Sequence, residues 1–126
     1  MARKMNKARR RHGLPPVDLD RHLSRVSRAH TYGMVRRREI FHTPVGTLSR
    51  RVTRWVSLGE NVGRTPRGVR SLHRSFMNSA SHRANILNSA FTYVGVGSVK
   101  KGGQLWMTLT FESRRNPGTT LSMPSC

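Results

Sequence analysis

Three side chains in this 126-residue sequence combine ligand or acid–base chemistry with an unusual setting: His42, Glu60 and His82. His42, in IFHTP, and His82, in SASHR, each stand at a loop or helix start, where backbone geometry can aim an imidazole into a cleft. Glu60, in SLGENVG, is one of five acids in a chain with 24 Lys and Arg. Two imidazoles and a carboxylate suit a zinc-type divalent ion with an open coordination position, at which a bound water becomes more acidic. The separations of 18 and 22 residues match no local signature such as HExxH, so only the fold could bring the three together. An equally direct reading makes Glu60 the ion-pair partner of an arginine. The other histidines have simpler explanations. His12 and His22 sit among arginines on solvent faces, His30 lies beside an apolar stripe as a core residue, and His73 follows Leu72 on a helix.

The elements that must position these residues can be read from periodicity. Asn6–His12 ends a short basic helix, stopped by Gly13 at the C′ position and by Pro15-Pro16. Asp18 stands where an N-cap belongs, with Asp20 in the first turn, and the apolar positions Leu19, Leu23, Val26 and Met34 predict a helix over 19–35. The stretch from Arg36 to Thr47 reads as a loop broken by Pro44 and Gly46, and Leu48–Trp55 as a short helix with Leu48, Val52 and Trp55 on one side. GENVG and the following RTPRG read as a loop as far as Gly68. Val69, Leu72, Phe76 and Met77 mark another amphipathic helix, and Ser79 or Ser81 caps a short helix ending near Asn88. Two extended runs flank Lys101-Gly102-Gly103, a hairpin signal. In the second run Leu105, Met107, Leu109 and Phe111 share one face; Trp106, Thr108 and Thr110 share the other. Trp55, Phe76, Trp106 and Phe111 are expected in the core. Helices first and strands last predict an α+β layered domain, with 1–113 as the domain and 114–126 as a loose tail.

Composition bounds the partners. The net charge is +19 and the sequence pI about 12.0, which favours polyanions such as nucleic acid or envelope polymers. The Arg triplets at 9–11 and 36–38 are the expected contact points, with Arg36, Arg37 and Arg38 as the patch to test. Few aromatics are free to stack on bases, and no zinc-finger, RRM-type or P-loop signature is present, which argues against sequence-specific recognition. No apolar run approaches the ~18 residues of a membrane span, and the basic start has no apolar core behind it to make a signal peptide. The lone Cys126 permits no internal disulfide.

FHT, GENV and SHRANIL, in this order, resemble the CAP superfamily of cysteine-rich secretory proteins, antigen 5 and plant pathogenesis-related proteins, and in particular its short bacterial SCP-like members. NKARRRHGLPPVDLD is similar to the family's opening helix and Gly-Leu-Pro-Pro turn, LSRVSRAHTYGM to its second helix, and FTYVGVGSVKKGGQLWMTLTF to its closing hairpin. The likeness covers about residues 5–112. It implies a three-layer α-β-α sandwich with a cleft holding two histidines and up to two acids, three of whose positions fall on His42, Glu60 and His82. The family's further acid usually lies between the GEN motif and the second histidine, but no Asp or Glu occurs from Asn61 to Ser81. That absence weakens an acid–base mechanism and leaves at most three metal ligands. Within the same resemblance Asn61, Arg83 and Asn85 read as structural: Asn61 bonding neighbouring backbone, Arg83 and Asn85 tying a helix start to the sheet. The resemblance also implies secretion or envelope attachment behind a signal segment, so the chain is expected to be a mature or truncated form or to start further upstream.

Three classes of function follow. The first is an extracellular or envelope CAP-like domain whose cleft binds zinc, another divalent metal or a small ligand, as a monomer with a protein, lipid or cell-wall partner. The second is a metal-assisted hydrolase of peptide, phosphodiester or cell-wall bonds, with water activated at His42, Glu60 and His82. The third is an Arg-rich polyanion-binding module, whose affinity would fall steeply with salt.

Overall fold

Residues 105–111 are apolar or hydroxylic throughout, and the layers are built around the strand they form. A computed structural model describes residues 1–52 and 55–113 and the backbone of 120–121. The elements run α1 (Ala2–Arg11), β1 (Asp18–Asp20), α2 (Arg21–Arg37), α3 (Val45–Arg51), β2 (Leu58–Thr65), α4 (Val69–Met77), α5 (Ala80–Ile86), β3 (Tyr93–Lys101), β4 (Gln104–Glu112) and β5 (Thr120–Leu121). The strands form one five-stranded sheet in the order β2-β4-β3-β1-β5. β2, β4 and β3 pair antiparallel, and β1 runs parallel to β3.

β4 is buried on both faces, and its alternation assigns the layers. Leu105, Met107, Leu109 and Phe111 join Met5 of α1, Leu72 and Phe76 of α4 and Ile86 of α5 in the main core. The opposite face turns toward α2. Trp106 packs with Met34, while Thr108 and Thr110 meet the Thr31 and Ser27 hydroxyls at 2.8 and 2.7 Å. Helices therefore cover both faces of a mixed sheet, the expected three-layer α-β-α sandwich. Helix α2 lies almost directly on β3: a Cβ on Gly95 would stand 2.1 Å from the Leu23 carbonyl carbon, and one on Gly97 2.2 Å from the Arg28 nitrogen. Only glycine admits a helix backbone so close to a strand.

The hairpin, α4 and α5 stand where periodicity placed them, and Gly102 and Gly103 turn the β3–β4 hairpin with φ of 60° and 74°. Several expectations need correction. The N-cap of α2 is Asp20, whose Oδ2 accepts from Leu23 N at 2.8 Å; Asp18 belongs to β1, because 18–19 pair with 93–94. The short third helix starts at Val45 and ends at Arg51, so Pro44 opens it instead of breaking it. GENVG, read as loop, lies in strand β2, paired with β4 from Leu58↔Glu112 to Thr65↔Leu105. Trp55, expected in the core, is 39% exposed and donates Nε1 to the Ser49 carbonyl. Within the stretch expected as a tail, Thr120 and Leu121 pair antiparallel with β1; the rest of 114–126, Cys126 included, lies outside the described residues.

Arg9 departs furthest from expectation. Read as part of a polyanion-binding triplet, it is 1% exposed. Its guanidinium donates to the carbonyls of Pro15, Ile86, Asn88 and Phe91 at 2.7 to 3.1 Å. Burial pushes its pKa down, and the carbonyls at the end of α5, where the helix dipole is negative, hold the charge in place. Arg9 thus fastens α1 to the segment that follows α5, and Arg10 and Arg11 alone of that triplet face solvent.

Candidate functional site

Strand β2 forms one edge of the sheet, with β4 on one side and no strand on the other among the described residues. The site lies along this edge. The loop after α2 brings His42, β2 brings Glu60 and Asn61, and α5 brings Ser81, His82 and Asn85; together they line a cleft of about 230 Å3. His42 lies in a loop and His82 near a helix start, as read from the sequence, while GENVG, read as loop, is part of strand β2.

The Glu60 side chain is 6% exposed and its oxygens are engaged. Oε1 accepts from His42 Nδ1 at 3.0 Å and from Thr43 N at 2.8 Å, and Oε2 from Thr43 Oγ1 at 2.6 Å. In the neutral ring, a proton donated from Nδ1 to the carboxylate leaves the lone pair on Nε2. The His42 ring itself is 64% exposed, a wet imidazole on a buried carboxylate.

His82 sits in the first turn of α5. Its Nδ1 shares a 2.7 Å hydrogen bond with Oγ of the N-cap, Ser79, and its ring stacks on Phe76 at 5.1 Å. Desolvation lowers its pKa, and a like charge on His42 lowers it further, against a smaller opposing effect of a hydrogen bond to the Val62 backbone. A pKa held below the ordinary imidazole value favours the neutral form of His82.

The residues expected to be structural divide. Asn61 is fully buried: Nδ2 donates to the His82 carbonyl at 3.0 Å, and Oδ1 accepts from Asn85 Nδ2 at 2.9 Å. Asn85 also donates to the Glu60 carbonyl at 3.3 Å, so the asparagine pair locks α5 to β2 across the cleft floor. Gly59 makes room for this, since a Cβ there would stand 2.9 Å from both Asn85 Oδ1 and the Phe91 ring. Arg83 turns away from the sheet and lies 3.1 Å from His12 Nε2 at the end of α1. Arg36 and Arg37 end α2, and Arg38 caps it in the left-handed conformation (φ 54°); all three lie outside the cleft.

Sequence reasoning missed Thr43, which donates two of the three hydrogen bonds that Glu60 accepts. The signal was its place directly after His42, which puts a backbone N–H and a hydroxyl within reach of a carboxylate already bonded to the imidazole. It also missed a largely apolar hollow of about 300 Å3 that shares His42 and Glu60 with the cleft and adds Val45, Leu48, Trp55 and Leu58.

As to a metal, no three His, Cys, Asp or Glu side chains among the described residues are grouped to hold an ion. The Glu60 oxygens already accept three hydrogen bonds, one of them from His42.

Comparison with known proteins defines the class. The profile of the cysteine-rich secretory protein family (CAP) matches residues 2–111, and the chain belongs to this family. It is 31% identical over 107 residues to YkwD of Bacillus subtilis, a match covering 80% of this chain and 41% of that protein. Among solved structures it is similar to an extracellular SCP-domain protein from Bacillus anthracis, with 28% identity and a TM-score of 0.77 over 87% of this chain and 38% of the other. An outer surface protein of Borrelia burgdorferi shares the fold at 18% identity and a TM-score of 0.79, over 90% of each chain. The chain spans about 40% of the length of YkwD and of the Bacillus anthracis protein.

Proposed function

We propose that this CAP domain works outside the cell or at its envelope as a binding domain, and that its cleft takes a divalent ion such as zinc on His42 and His82, leaving the remaining positions to water or a small ligand. Support for the location comes from the Bacillus anthracis relative, which is described as extracellular. The observation that carries the site reading is the buried Glu60 carboxylate bonded to His42 Nδ1 at 3.0 Å across the cleft from His82, whose pKa burial lowers. A carboxylate behind a histidine orients the ring and raises its basicity, the usual support for an imidazole ligand. Glu60 thus takes an orienting role in place of the ligand role read from its type and spacing. A binding function is favoured over hydrolysis because the carboxylate that would serve as general base already accepts three hydrogen bonds.

Zinc titration by calorimetry tests this. Wild type is expected to bind one ion, His42→Ala and His82→Ala to lose the site, and Glu60→Gln to keep it with affinity reduced about 10- to 100-fold. Absence of binding heat in wild type, or full affinity after His82→Ala, would reject the two-imidazole site.

A further inference from the structure

A second hollow, of about 340 Å3, opens between the C-terminal half of α2 and α3. Three guanidinium groups, Arg36, Arg37 and Arg51, face it together with Thr47 and Phe41, and no Asp or Glu lines it. Arg37 is held in place: its guanidinium lies 4.2 Å over the Phe41 ring and 3.6 Å from Glu39. Arg36 and Arg51 have no acidic partner among the described residues, so two forked cations point into a concave space with their charge uncompensated. Arg36 and Arg51, which share this hollow without an acidic partner, repel one another, and an anion that bridges them relieves that repulsion. Guanidinium forks match the paired oxygens of a phosphate better than an ammonium does.

We propose that this hollow binds phosphate groups carried on a flexible chain that lacks stacking bases, with Arg36 and Arg51 as the principal contacts and Arg37 as a fixed third charge. The hollow is small beside a folded polymer, so one segment of the chain is held at a time. Nucleic acid is the less favoured ligand. Single strands bind through aromatic faces beside a basic groove, whereas the Phe41 ring in this hollow has Arg37 over its face and is packed edge-on with His30, which also lines the hollow, at 4.9 Å. The Arg triplet at 36–38 is thereby divided: Arg36 and Arg37 line the hollow, and Arg38, which caps α2, does not.

The hairpin offers an internal control, since a larger hollow of about 490 Å3 there is lined by Arg67, Lys100 and Lys101. Tripolyphosphate binding is measured by calorimetry at several salt concentrations on wild type, on Arg36→Gln/Arg51→Gln and on Lys100→Gln/Lys101→Gln. The two double variants lose the same charge, and all four residues are exposed. The arginine pair is expected to lower affinity by about tenfold or more and to reduce the salt slope by about 1 per arginine removed, with the lysine pair staying within about twofold of wild type. An equal loss in both variants would overturn the proposal, because diffuse surface charge would then explain the binding. An oligothymidylate of matched phosphate number that binds more tightly than tripolyphosphate through the same arginines would overturn the exclusion of bases.

Discussion

Glu112 is buried with both carboxylate oxygens unpartnered, in a chain with an excess of arginine. Desolvation, helped by the nearby Asp20 carboxylate, pushes its pKa up to about 7 from an ordinary value of 4.5. The unfolded chain therefore gives up this proton near pH 4.5 and the folded protein near pH 7. Its contribution to stability is complete below pH 4.5 and is lost as pH rises through 7, by on the order of 3 kcal/mol. Burial lowers the pKa values of His73 and His82, which pull stability the opposite way with pH, so the informative quantity is the difference between variant and wild type. Glu112→Gln is expected to gain stability relative to wild type by about that amount between pH 4 and pH 8, measured by urea unfolding. A difference that does not change with pH would contradict the assignment. At this scale the sequence was legible only in part. His42, Glu60 and His82 stood out by type and setting, but the burial of Arg9 and Glu112 depends on contacts across the whole chain, and nothing in their local spacing announces it.

At the scale of elements, the position of the cleft depends on how closely α2 lies on the sheet, because the loop that ends α2 delivers His42. Gly95 and Gly97 set that distance. Gly95→Ala is expected to destabilise the protein by about 1–3 kcal/mol or more, read as a lowered urea midpoint, since the new methyl meets helix backbone that cannot rotate away. Unchanged stability would mean that α2 has room to lift. Helices α2 and α4 were readable because their apolar positions recur at three and four. Strand β2 was not: Gly59 and Gly63 supply no side chain to alternate, and its polar residues point into hydrogen bonds with Thr43, Asn85 and His82. Strand β1 was hidden for another reason, since Asp18 and Asp20 both look like caps and only pairing with β3 distinguishes them.

Across the whole molecule, the sandwich separates two kinds of polar site. The imidazole cleft lies at the β2 edge beside α5, and the arginine hollow lies between α2 and α3; His42 and Thr43 join them, since the loop after α2 borders both. The family fold was legible from six segments in order because they are the parts that make the sandwich: the turn before β1, helix α2, the loop at His42, the β2 corner, the start of α5 and the hairpin. The roles within the site were less legible, because Glu60 as ligand and Glu60 as support for His42 require the same residue at the same position. Ring nitrogen spectra of the six histidines, recorded by NMR during zinc titration, separate these roles most directly. The account predicts that His42 begins with its proton on Nδ1, and that zinc shifts the His42 and His82 rings and leaves the other four in place. A proton on His42 Nε2, or shifts at other histidines with His82 unmoved, would contradict it.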